Sequence, residues 1–219
     1  MYEEVIQEFY NNRDENESRA MSAYMKNQFT FLGLKKPVRS RLQGSLLKEC
    51  KKEKSINWDF VKMCYSLPER EFQYLAIDYL ITLKKYILPC DIVIIEELIL
   101  EKSWWDTVDM LAGTIVGELC SRNNELISNY ILKWASSDNL WLKRSSILFQ
   151  LKYKENTDKE LLKNIIFTNS GSSEFFINKA IGWILREYSK TDKTWVKEFI
   201  ENNKLSHLSV REASKYLGE

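Results

Sequence analysis

Apolar residues recur at helical spacing along nearly the whole chain, and breakers are scarce, with only 7 Gly and 3 Pro. Val5, Ile6, Phe9 and Tyr10 predict a short first helix. Tyr24, Met25, Gln28, Phe29 and Phe31 predict a second, ending near Gly33. Pro37 suits the first turn of a third helix that carries Val38, Leu42, Leu46 and Leu47. Trp58, Val61, Met63 and Tyr65 predict the next, stopped before Pro68, and Pro68 with Glu69 and Glu71 opens another through Phe72, Leu75, Ile77, Tyr79 and Leu80. The β-branched run Ile92-Val93-Ile94-Ile95 reads better as a helix beginning at Asp91 than as a strand.

The pattern continues to the C-terminus. Ser103 is placed to cap a helix from Trp105 through Val116, and Asn124 to Trp134 predicts a further one. Leu140 to Tyr153 follows, and Thr157 with Glu160 three residues on fits a capping box for a helix ending near Phe167. Asn169-Ser170-Gly171-Ser172-Ser173 is a loop, and Phe175 to Tyr188, Trp195 to Ile200 and Val210 to Leu217 complete the series. Successive helices pair at intervals of about 35–40 residues, the mark of an all-α, curved α-solenoid of antiparallel helix pairs, each burying one face on its neighbours. A compact, irregular helical bundle fits the same pattern. At 219 residues one domain over residues 1–219 is expected, with enough chain for a substantial core.

Composition narrows the class. No apolar run reaches the roughly 18 residues of a membrane span, and Met1 to Tyr10 lack the basic and apolar regions of a secretory leader. Cys50, Cys64, Cys90 and Cys120 lie far apart, and there is one His, so neither a zinc site nor a disulfide framework is expected. Reduced, mostly buried thiols of a cytoplasmic protein are. The net charge of +1 conceals segregation: residues 1–18 carry −5, residues 19–62 carry +8, residues 63–140 carry −6 and residues 141–219 carry +4. Two basic stretches sharing a face could follow a phosphate backbone; Lys-rich helices are also ordinary solvated surfaces.

Three segments carry candidate chemistry. In Lys102-Ser103-Trp104-Trp105-Asp106-Thr107-Val108-Asp109, Trp105 and Asp109 stand four apart and project from one helix face. Asp106 in the first turn is explained by the helix dipole. Asp109, deeper among Val108, Met110 and Leu111, is not, and faces either solvent or a nearby Arg. Arg144 lies in a strongly apolar helix and needs an anion, either a carboxylate such as Asp109 or a phosphate. Gly182, mid-helix beside Trp183, costs about 1 kcal/mol against Ala and is tolerated where something approaches the backbone closely.

The strings KSWWDTVD, NLWLKRSSILFQLKYK and EFFINKAIGWILREY closely resemble the bacterial AlkD-like DNA alkylation repair glycosylases, as do AYMKNQFTFLGLKKP and LPEREFQYLAIDYL upstream. The resemblance runs in uninterrupted order from the first helix to about residue 215. It implies HEAT-like repeats with duplex DNA on the concave face. The implied activity is excision of cationic alkylated purines, chiefly N3-methyladenine and N7-methylguanine. A base that already carries positive charge leaves without metal help, so no metal or other cofactor is expected, and a monomer is expected. By position, Asp109, Trp105 and Trp183 match the family's catalytic cleft and Arg144 its supporting cation. Lys152 and Arg186 match positions that look like phosphate contacts in the family, and Tyr24 is a further DNA-binding candidate. Lys35 and Lys36, ahead of Pro37, are more basic than the family pattern and join the DNA-binding candidates. The resemblance further implies that the lesion stays stacked instead of entering a pocket. Rival readings are a non-catalytic helical-repeat protein gripping damaged or branched DNA, and a protein-interaction scaffold.

Overall fold

The computed structural model describes residues 1–218, and among them the chain is all-helical, with one isolated bridge between Thr30 and Glu69 as its sole β feature. Its internal contacts divide it into two units, Met1–Leu88 and Pro89–Glu219. The basic stretch 19–62 falls wholly in the first unit and the stretch 141–219 wholly in the second.

The first unit comprises α1 (Tyr2–Asn11), α2 (Glu15–Tyr24), α3 (Lys36–Leu42), α4 (Gly44–Glu53), α5 (Trp58–Ser66) and α6 (Arg70–Leu83). Its core gathers Phe9 from α1, Leu46 and Cys50 from α4, Phe60 and Tyr65 from α5, and Phe72, Leu75, Tyr79 and Leu80 from α6. Here the second predicted helix is displaced. Helix α2 starts at Asp14, whose carboxylate accepts the backbone N–H groups of Asn16 and Glu17, and it ends at Tyr24. Lys26 and Asn27 then take left-handed backbone (φ 55° and 56°), which no α-helix accommodates. Beyond them the N–H groups of Leu32, Gly33 and Leu34 donate to the buried Glu71 carboxylate at 2.9, 2.9 and 3.0 Å. The segment's backbone is satisfied by a side chain of α6 instead of by its own helix. The apolar run Met25–Phe31 therefore packs without being helical.

The second unit comprises α7 (Ile92–Leu100), α8 (Trp105–Met110), a π-helical stretch Leu111–Val116, α9 (Gly117–Arg122), a second π stretch Ile127–Ile131, α10 (Leu132–Ala135), α11 (Leu140–Leu148), α12 (Lys159–Asn169), α13 (Phe175–Tyr188), α14 (Lys193–Asn202) and α15 (His207–Ala213). Several predicted caps are corrected. Asp91, the start of the helix expected through Ile92-Val93-Ile94-Ile95 and the residue suited to cap it, precedes α7 without a side-chain cap. Ser103 donates back to the Ile99 carbonyl at 2.7 Å instead of capping α8. Asp158, not Thr157, caps α12 by accepting from Leu161 N. The predicted Leu140–Tyr153 helix stops at Leu148 and continues in turns. Cys50, Cys64 and Cys120 are buried free thiols, as expected, whereas Cys90 is exposed. No helix among the described residues is long and apolar enough to cross a membrane.

Candidate functional site

Helix α8 begins directly after Trp104, whose extended backbone turns the chain into the helix, so Trp105 and Asp109 emerge one turn apart on the same side. Beneath α8 runs α11, started by Asn139, whose side chain accepts from Trp141 N and Leu142 N. That start delivers Arg144 to Asp109. Arg144 Nε donates to Asp109 Oδ1 at 2.7 Å and its Nη2 to Oδ2 at 2.8 Å, a two-pronged pair in the geometry that makes guanidinium–carboxylate contacts strong. Its Nη1 donates to the Phe176 carbonyl at 2.6 Å. The side chains are 4% and 12% exposed, so the anion is nearly enclosed but still open on one side.

Burial pushes the Asp109 pKa above the ordinary carboxylate value, and the two Arg144 hydrogen bonds and charge oppose that rise. Protonating Asp109 would leave the buried Arg144 guanidinium without its counter-charge, so the pair resists loss of the anion even as burial favours it.

Helix α13 supplies the opposite wall. Phe175, Phe176, Lys179, Trp183 and Arg186 repeat at helical spacing and line, with Trp105, Asp109 and Arg144, a cleft of about 350 Å³. Phe176 is held by Trp104 (ring centroids 5.3 Å apart) and Trp141 (5.1 Å), and its ring lies 5.8 Å from the Arg144 guanidinium carbon. Phe175, exposed, meets Phe176 edge-on at the rim. Gly182 sits on the back of α13: a Cβ there would lie 2.5 Å from Glu212 Cβ and 2.8 Å from the Ser209 carbonyl. The close approach expected at Gly182 is thus made by α15 of the same chain.

Of the residues singled out in the sequence, Trp105, Asp109, Arg144, Trp183 and Arg186 converge on this cleft. Lys152 lies outside its lining; it is exposed, and its Nζ donates to Thr114 Oγ1 at 2.7 Å. Tyr24, Lys35 and Lys36 belong to the first unit, where Tyr24 is exposed, Lys35 pairs with Glu17 at 2.7 Å and Lys36 with Asp78 at 2.7 Å. Phe175, Phe176 and Lys179 were not foreseen, although each lies four, seven or eight residues before Trp183 and so on its helix face. Among the described residues no group of three or more His, Cys, Asp or Glu side chains is arranged to hold a metal ion.

Residues 5–217 match the family of DNA alkylation repair enzymes. Among solved structures, the chain is similar to a predicted DNA alkylation repair enzyme from Enterococcus faecalis, at 35% identity over 94% of this chain and 97% of that one, with a TM-score of 0.87. No curated protein matches it. Because the family match covers nearly its whole length, the chain belongs to the DNA alkylation repair enzyme family.

Proposed function

We propose that this protein is a monofunctional DNA glycosylase that hydrolyses the N-glycosidic bond of cationic alkylated purines, N3-methyladenine and N7-methylguanine, in duplex DNA. The observation that carries the reading is the Asp109 carboxylate, fixed by Arg144 and open to a cleft walled by Trp105 and Trp183.

An N3- or N7-alkylated purine departs as a neutral base, taking the bond's electron pair, so the leaving group needs no strong acid. Positive charge then appears on the deoxyribose. A preorganised anion in a partly dehydrated cleft stabilises that charge as it develops. An ionised carboxylate offers about four lone-pair directions, and Arg144 uses one on each oxygen. The others remain for the sugar and for the attacking water, which adds to C1′ and releases its proton to solvent. The indoles of Trp105 and Trp183 suit the sugar and the cationic nucleotide, at about 0.5–2 kcal/mol per contact. Anion, cations and aromatic faces fit a sugar and its phosphates better than they fit a base edge, which supports excision with the lesion still stacked.

The test is a time course of methylated duplex DNA analysed for freed bases. Wild type should release N7-methylguanine and leave an uncut abasic strand. Asp109→Asn should lose most of that release while still binding DNA. Undiminished release by the variant would remove Asp109 from the mechanism, and no release by wild type would leave a binding protein.

A further inference from the structure

Behind the cleft, a second carboxylate organises cations. Glu212 on α15 is 4% exposed, yet three positive side chains reach it. Its Oε1 accepts Lys179 at 2.7 Å, and its Oε2 accepts Arg186 at 2.6 Å and Lys215 at 2.9 Å. Burial disfavours its charge, but the lysine hydrogen bonds and charges outweigh that and hold its pKa down at about 2. Lys179 and Arg186 line the Asp109 cleft, whereas Lys215 does not.

The carboxylate sits on a rigid base. Without a side chain at Gly182, α15 lies directly on α13, and Ser209 Oγ donates to the Asn178 carbonyl at 2.8 Å. Glu212 is therefore anchored against the same helix that carries Lys179 and Arg186. Those two cations remain 35% and 20% exposed while their anion is covered. One carboxylate against three cations leaves a surplus of positive charge. An arginine has five N–H donors and a lysine three, so contact with Glu212 does not exhaust either.

We propose that Glu212 is a positioning residue for DNA: it fixes Lys179 and Arg186 as a pair on the cleft rim that receives the phosphodiester backbone beside the alkylated nucleotide. The proposal rests on reading the cleft as the DNA site. It makes a prediction opposite in sign to simple charge counting. Replacing Glu212 by glutamine adds one positive charge and, through the overall field alone, would tighten DNA binding. If Glu212 holds the two cations in place, the same change weakens binding.

The experiment measures binding of the full-length protein to a duplex carrying a tetrahydrofuran abasic analogue, which cannot be cleaved, by fluorescence anisotropy across a salt series. Glu212→Gln should bind about ten-fold more weakly, and the slope of log K against log salt should shrink by about one to two. Lys215→Met should bind as wild type. Lys179→Met and Arg186→Met should each weaken binding, and adding Glu212→Gln to the Lys179→Met/Arg186→Met double variant should cost nothing more. Unchanged or tighter binding by Glu212→Gln overturns the proposal. So does an equal loss in the double-variant background, which would assign Glu212 only to seating α15, and so does wild type failing to bind. Should Glu212→Gln not fold, normal binding by both Lys179→Met and Arg186→Met overturns it independently. Because the probe is uncleavable, this binding pattern with no excision by wild type would reject the glycosylase reading and leave the Glu212 assignment standing.

Discussion

Replacing Arg144 by methionine tests the arrangement on which the cleft depends. Arg144 is 3% exposed and makes three hydrogen bonds, two to Asp109 and one to the Phe176 carbonyl. Methionine keeps much of the stem but strands a carboxylate in an enclosed position, which costs about 3–5 kcal/mol. Asp109→Asn strands the guanidinium in turn, although an amide oxygen still accepts one hydrogen bond, so about 2–3 kcal/mol is expected. The double variant removes both charges and should be less destabilised than the two losses added together, with a coupling of about 2 kcal/mol or more. Urea unfolding followed by tryptophan fluorescence suits the purpose: of the 7 Trp, Trp58 alone lies in the first unit, so the signal reports chiefly on the unit that holds the pair. Single-variant losses below about 1 kcal/mol that add without coupling would mean a solvated surface pair, and the claim that Arg144 fixes the anion would fail.

Two further outcomes follow from the same geometry. In the proposed mechanism excision requires ionised Asp109, whose pKa burial raises against the pull of Arg144, so the kcat profile should fall on the acid side around a pKa above the ordinary carboxylate range. In Arg144→Met that limb should move to still higher pH, and an acid limb that stays put in the variant refutes the assignment. Gly182→Ala gains about 1 kcal/mol of helix propensity but drives a methyl group against Glu212 Cβ and the Ser209 carbonyl, so thermal unfolding should show a net loss of about 1–3 kcal/mol; a more stable variant would show that α15 yields freely.

How far the sequence could be read depended on where each signal originates. Helix α13 was legible to the residue, Phe175–Tyr188, because its apolar face follows the helical period and loop residues precede it. Helix α2 was not, because it buries no residue and so has no stripe to read. The stripe just beyond it belongs to a segment whose N–H groups are satisfied by Glu71, about 40 residues downstream, a contact no local pattern encodes. The same division runs through the site. Asp109 and Arg144 could be named in advance as candidate partners, because each was a charge in an apolar helix and such a charge demands an opposite one, although a solvated Asp109 and a phosphate on Arg144 fitted the sequence equally. Glu212 offered no such anomaly. It sits in a seven-residue helix of mixed polar and apolar residues, and tertiary packing against α13 makes it buried. Its one trace in the sequence was the glycine at position 182, which announces a close approach without naming what approaches. That the visitor is a helix bearing a carboxylate, and not a nucleic acid, changes what the glycine is for: it lets an anion reach the cations of the cleft from behind, so that their pairing with Glu212 leaves the front of that cleft uncovered.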